Sequence, residues 1–146
     1  MLERYPAAAA FERQINGVGP ITALAFVLTI DDPHRFTYSR SVGAFAGLAP
    51  KRDQSGESDP QLRISKAGNA LLRRLLVQCA QYILGPFGKD SDLRRFGLKL
   101  AGEGNRRQKR RAVVAVARKL AVLLHTLWIS GEVYEPLHNS MKEVAA

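Results

Sequence analysis

The chain has 146 residues, 46% hydrophobic and 24% charged, a balance that supports one sizeable soluble core. Its net charge of +9 and pI near 10.2 point to a polyanionic partner, nucleic acid ahead of an anionic membrane surface. Cys79 is the single cysteine, which excludes an intrachain disulfide and a thiolate metal cluster.

Residues 7–15 (AAAAFERQI) carry a short helical pattern stopped at Gly17. Pro20 suits the first turn of a second helix, and ITALAFVLTI after it is apolar throughout, which predicts a buried helix ending at Asp31-Asp32-Pro33. A short third helix is expected from Ser39 to Leu48, with Val42, Phe45 and Leu48 at helical spacing. Residues 49–64 are polar and rich in turn formers, and predict a loop around Ser55-Gly56. From Ala67 to Leu84, Leu71, Leu72, Leu75, Leu76, Cys79 and Ile83 follow the spacing of an amphipathic helix that Gly85-Pro86 ends. A shorter helix over 90–101 should turn Leu93, Phe96, Leu100 and Ala101 inward. The longest helix runs from about Arg107 to Ser130, with Gly131 as its C-terminal cap. The fold class is mainly α, a single domain over 1–146. It divides into a helix-hairpin-helix over about 7–31, the Ser-Gly loop, a helical region over 66–131 and a frayed tail over 138–146.

The hairpin Ile15-Asn16-Gly17-Val18-Gly19-Pro20 joins two helices by a Gly-hydrophobe-Gly turn. Glycines there allow a DNA phosphate to approach the backbone, and the amides opening the second helix can then donate to it. Gly17, Val18, Gly19 and Thr22 are the residues assigned to this contact. The competing reading is a tight helix–helix turn with no ligand. Arg106, Arg107, Lys109, Arg110 and Arg111 crowd the first turns of the last helix, with Arg118 and Lys119 beyond. Cations there oppose the helix dipole at about 0.3–1 kcal/mol apiece, so stability does not call for them while a polyphosphate would reward them.

Around Ser55, Lys51 and Arg52 stand on one side and Arg63, Lys66, Arg73 and Arg74 on the other. No acidic residue falls between Asp59 and Asp90. A hydroxyl in such a field is placed to meet a phosphate, although Ser-Gly is also a common turn pair. His34, His125 and His138 lack metal-ligand spacing, so no metal site is expected on this chain; His125 interrupts an apolar face and reads as a satisfied core or boundary residue. With no charged-then-apolar leader and no uninterrupted apolar run of about 18 residues, a cytoplasmic chain with no membrane partner is expected.

Four segments in order, GVGPITALAFVLTIDDPHRF, SVGAFAGLAPKRDQSG, RISKAGNALLRRLLVQCA and AVARKL, resemble the C-terminal domain of the insertion-sequence 110/116/902 transposases over residues 11–137. The resemblance implies DNA transposition through a serine nucleophile within the Ser-Gly segment. Carried over, that nucleophile is Ser55, with Ser58 and Ser65 as alternatives, and Arg52, Arg63, Lys66 and Arg73 as phosphate-binding support. It also implies partners: DNA, a structured guide RNA, a homo-oligomer, and a RuvC-like domain with four acidic ligands for a divalent metal such as Mg. That domain has no counterpart in these residues, so the chain by itself is expected to bind no cofactor and to provide half of a composite site. The rival is a non-enzymatic nucleic-acid-binding module or a transposase remnant. A basic oligomerisation domain is a third reading.

Overall fold

The computed structural model describes residues 2–49 and 68–140, and every regular element among them is helical. In chain order these are α1 (Pro6–Gln14), α2 (Pro20–Ile30), α3 (Arg40–Phe45), α4 (Ala70–Leu84), α5 (Asp92–Ala101) and α6 (Arg106–Ser130), with single 3-10 turns at Leu2–Arg4 and Pro33–Arg35. The expected mainly α class holds. The polar loop, with Lys51, Arg52, Ser55, Ser58, Arg63, Ser65 and Lys66, lies outside the described residues.

Local chemistry explains the helix ends. Asn69, Ser91 and Asn105 each accept the N3 amide of their helix, from Leu72, Arg94 and Gln108, at 2.9, 3.0 and 3.0 Å. Such caps contribute about 1 kcal/mol each. Proline opens α1 and α2. Gly131 closes α6 in the left-handed region at φ 69°. Asp31 stops α2 at φ 65°, Asp32 accepts the His34 amide, and the Ile30 carbonyl accepts from both the Asp32 amide at 2.8 Å and Arg35 Nη1 at 2.9 Å.

The core is built on α6. Ala112, Val116, Ala117, Leu120, Ala121 and Leu124 are buried against α4 and α5. Its small residues admit close neighbours: a Cβ on Gly97 of α5 would stand 2.5 Å from both Leu84 and Val116. At the far end of α6, Trp128 meets Phe11 and Phe26 in a ring cluster, with centroids 6.5 and 6.3 Å away. This cluster joins the α1–α2 pair to α6, and α2 also packs on α4. By length and composition α6 could cross a bilayer, yet its apolar residues are spent on this core.

Three expectations need correction. The α2 helix is apolar all round but only half buried, because it packs on one side: Phe26 and Ile30 are fully enclosed while Ile21 is 71% exposed. Leu71 and Leu100 face outward, since Leu72 and Leu76 already fill the contact with α6 and α5 turns Leu93 and Gly97 inward. The tail is tied as far as Ser140. The Asn139 and Ser140 amides and the Ser140 hydroxyl donate to the Asp92 carboxylate, and the Asp92 amide donates to Pro136. Burial pushes the Asp92 carboxyl up, but these bonds outweigh it and hold it below the ordinary carboxylate value.

His125 is the satisfied core histidine its position predicts. Its Nε2 lies 2.7 Å from the carbonyl oxygen of Pro33, which can only accept, so Nε2 carries the proton. Nδ1 then accepts from the Ser39 hydroxyl at 2.8 Å. These bonds fasten the α2–α3 connection to α6. His125→Ala should lose about 3 kcal/mol in urea unfolding, from the cavity and two stranded polar groups. His125→Phe keeps ring volume and should lose about half as much. Equal losses would mean that the hydrogen bonds alone are at work, and a parent-like His125→Phe that packing alone is.

Candidate nucleic-acid interface

At the hairpin the two glycines have different duties. Gly17 has φ +100°, and a Cβ there would meet Ile83 and Tyr82 of α4 at 3.0 and 3.2 Å. Its missing side chain serves the fold. Gly19 has φ −87°, and a Cβ there would meet nothing within 4 Å, so its bare face is open to a ligand. Val18 is 4% exposed and belongs to the core. Thr22 is 6% exposed, and its hydroxyl accepts from the Cys79 thiol at 3.5 Å, so its side chain points away from any phosphate. Burial pushes the Cys79 thiol up, against smaller opposing effects of its hydrogen bonding with the Thr22 side chain and the Gly19 backbone. The amides left for a phosphate are those of Ile21 and Thr22, which precede the first intrahelical bond, Ala23 N–H to Gly19 O.

Gly19→Val should melt as the parent does and bind duplex about thirtyfold more weakly, the equivalent of one amide–phosphate bond of about 2 kcal/mol. Gly17→Val should instead lower the melting temperature, because its backbone is left-handed and its Cβ faces α4. Parent-like anisotropy titrations for a folded Gly19→Val would leave the hairpin a structural turn only.

The second patch opens α6. Arg106, Arg107, Lys109, Arg110 and Arg111 are all exposed, and the first buried residue is Ala112. At 1.5 Å per residue, about 9 Å of basic helix projects past the core. Among the described residues no ion pair engages Arg106, Arg107, Lys109 or Arg110. Arg118 and Lys119 do not extend this patch freely: the Arg118 stem packs on Gly43, and Lys119 Nζ sits 3.8 Å above the Phe96 ring.

The third patch is the start of α4, where Arg73 is half-buried and Arg74 exposed. Both ends of the Ser-Gly segment rest on α3. Leu48 is enclosed and donates to the Gly43 carbonyl, while a Cβ on Gly68, at φ +89°, would collide with the carbonyl of Phe45. The hairpin touches the last turn of α4, through Tyr82 and Ile83, whereas Arg73 and Arg74 lie toward the other end of this 15-residue helix. Among the described residues no three His, Cys, Asp or Glu side chains converge as a metal site.

Residues 11–94, from α1 through the hairpin and the Ser-Gly segment into α5, match the Transposase IS116/IS110/IS902 family. The chain belongs to this transposase family. It is 38% identical over 122 residues to the transposase for insertion sequence element IS1111A of Coxiella burnetii, covering 84% of this chain and 33% of that protein. To the IS1328 transposase of Yersinia enterocolitica it is 32% identical over 120 residues, covering 82% and 35%. To the pilin gene-inverting protein of Moraxella lacunata it is 28% identical over 114 residues, covering 77% and 34%. The chain thus spans about a third of the length of these relatives. Within this IS116/IS110/IS902 domain, Asn16, Ile21 and Lys89 around the hairpin carry no local sequence signal of a site. Lys89 reaches the hairpin only through a 73-residue separation, its amide donating to Asn16 Oδ1 at 3.1 Å.

Proposed function

We propose that this chain is the DNA-binding, serine-bearing half of a transposase active site. The observation that carries the reading is the family match, which takes in hairpin, Ser-Gly segment and α4 as one unit. The open Gly19 face, and the amides of Ile21 and Thr22, which have no hydrogen-bond acceptor among the described residues, support contact with a duplex backbone, without base readout. The projecting α6 cluster supports a polyanion, either DNA or a structured guide RNA. The names of the relatives, transposases and a gene-inverting protein, fit DNA rearrangement as the outcome.

In the proposed step Ser55 Oγ attacks a DNA phosphorus, one P–O ester bond breaks, and the departing oxygen takes a proton. A phosphoserine link forms, and attack by a DNA hydroxyl reverses it. Arg52, Arg63, Lys66 and Arg73 would neutralise the added charge on the phosphate. A RuvC-like acidic domain would provide the base, and its divalent metal would stabilise the departing oxygen. The test is a denaturing gel of end-labelled donor DNA incubated with this chain and that domain. A retarded, protease-sensitive band supports the reading. Its absence, with binding intact, leaves a nucleic-acid-binding module.

A further inference from the structure

Phe87 is 79% exposed, the most exposed large hydrophobic side chain among the described residues. It sits at the tip of Gly85-Pro86-Phe87-Gly88, between α4 and α5. The backbone beneath it is clamped. Arg94 Nη1 donates to the carbonyls of both Ile83 and Gly85 at 2.6 Å, and the Gly88 amide donates to Gly85 at 3.2 Å. A Cβ on Gly88 would collide with the Ile83 carbonyl. From the far side, Asn16 of the hairpin holds the Lys89 amide. The fold therefore fixes the backbone that carries a ring from which its core gains nothing.

The surroundings identify what the ring meets. The Asn16–Lys89 bond seats the loop on the phosphate-facing hairpin. Arg13 and Lys89 are exposed there, with no ion pair to either among the described residues, and Tyr82 adds a second, 44% exposed ring beside Gly17. Of the nearby carboxylates, Asp90 is engaged by Arg95 Nε and Nη2 at 2.9 and 2.8 Å, and Glu12 is exposed. Cations with a preset aromatic wedge fit a nucleic-acid duplex better than an apolar protein groove.

We propose that Phe87 enters a base step of the duplex whose backbone the hairpin holds. This rests on the nucleic-acid reading above. Phosphate contacts fix the distance, the ring unstacks one step from the groove side, and the bases stack on its face. Pyrimidine–purine steps, which open most easily, should be favoured. Such a wedge would begin the local opening that strand exchange requires.

The test uses the 146-residue chain and a duplex of about 30 base pairs with 2-aminopurine at a central TA step. Parent protein should raise the 2-aminopurine fluorescence on binding. Phe87→Ala should melt as the parent does, bind about tenfold more weakly and lose the fluorescence rise, while Phe87→Trp restores both. If the parent binds with a steep salt dependence but Phe87→Ala matches it in affinity and fluorescence, the wedge is overturned and the nucleic-acid reading stands. Weaker binding by Phe87→Ala with no fluorescence rise in the parent also overturns the wedge. A parent that binds no duplex overturns both.

Discussion

Replacing Arg106, Arg107, Lys109, Arg110 and Arg111 by glutamine should weaken nucleic-acid binding about a thousandfold near physiological salt and flatten its salt dependence. Each phosphate that is no longer neutralised takes about 0.9 from the slope of log K against log salt on duplex DNA, so five take about 4.5. The weakening should be the same on unrelated sequences, because phosphate contacts carry no base information. Stability should move the other way. All five cations sit on the exposed opening turns of α6, at its positive end, and Arg106–Arg110 and Arg107–Arg111 are like-charged i, i+4 pairs. Removing them should hold or raise the melting temperature while affinity collapses. A structural role would lower both together. An unchanged salt slope in an anisotropy titration would make the cluster a solvated face and nothing more.

Local signals placed most of the helices. The spacing of Leu72, Leu76, Cys79 and Ile83, the stop at Asp31-Asp32-Pro33 and the cap at Gly131 all act within a few residues, and each appears where expected. What escaped was set by partners distant in sequence. Thr22 looks like a hairpin hydroxyl until α4 brings Cys79 to it across 57 residues. Gly17 and Gly19 look equivalent in GVGP, and only the packing of α4 against one of them separates a fold glycine from an open one. Leu71 and Leu100 fit an apolar stripe as well as their buried neighbours do, because periodicity does not record how wide the facing helix is. The tail lacks any pattern because its order comes from one carboxylate, Asp92, and not from a hydrophobic face. For the site, the α6 cluster was legible from charge alone. The clamp of Arg94 on Ile83 and Gly85 was not, since nothing local marks one arginine among several as a loop brace.

Ser55→Ala should abolish the covalent DNA adduct, a loss of about a thousandfold or more, when the chain is supplied with a RuvC-like domain, divalent metal, guide RNA and donor DNA. No other change to one atom should cost as much, because the oxygen removed is the one that bonds to phosphorus. Affinity should stay nearly intact, since a neutral hydroxyl adds little to polyelectrolyte binding. The fold should stay intact too, because the substitution removes one hydroxyl and leaves untouched Leu48 and Gly68, which meet α3. Ser58→Ala and Ser65→Ala are the local controls. Arg73→Gln adds a graded one: at the first turn of α4 it should slow adduct formation by about 10- to 100-fold without removing it, as expected for charge stabilisation. Should Ser55→Ala still trap DNA while one of the serine controls fails, the nucleophile is that serine. Should the chain form the adduct unaided, the half-site reading fails, for the base and the metal-bearing acids would then have to come from these 146 residues.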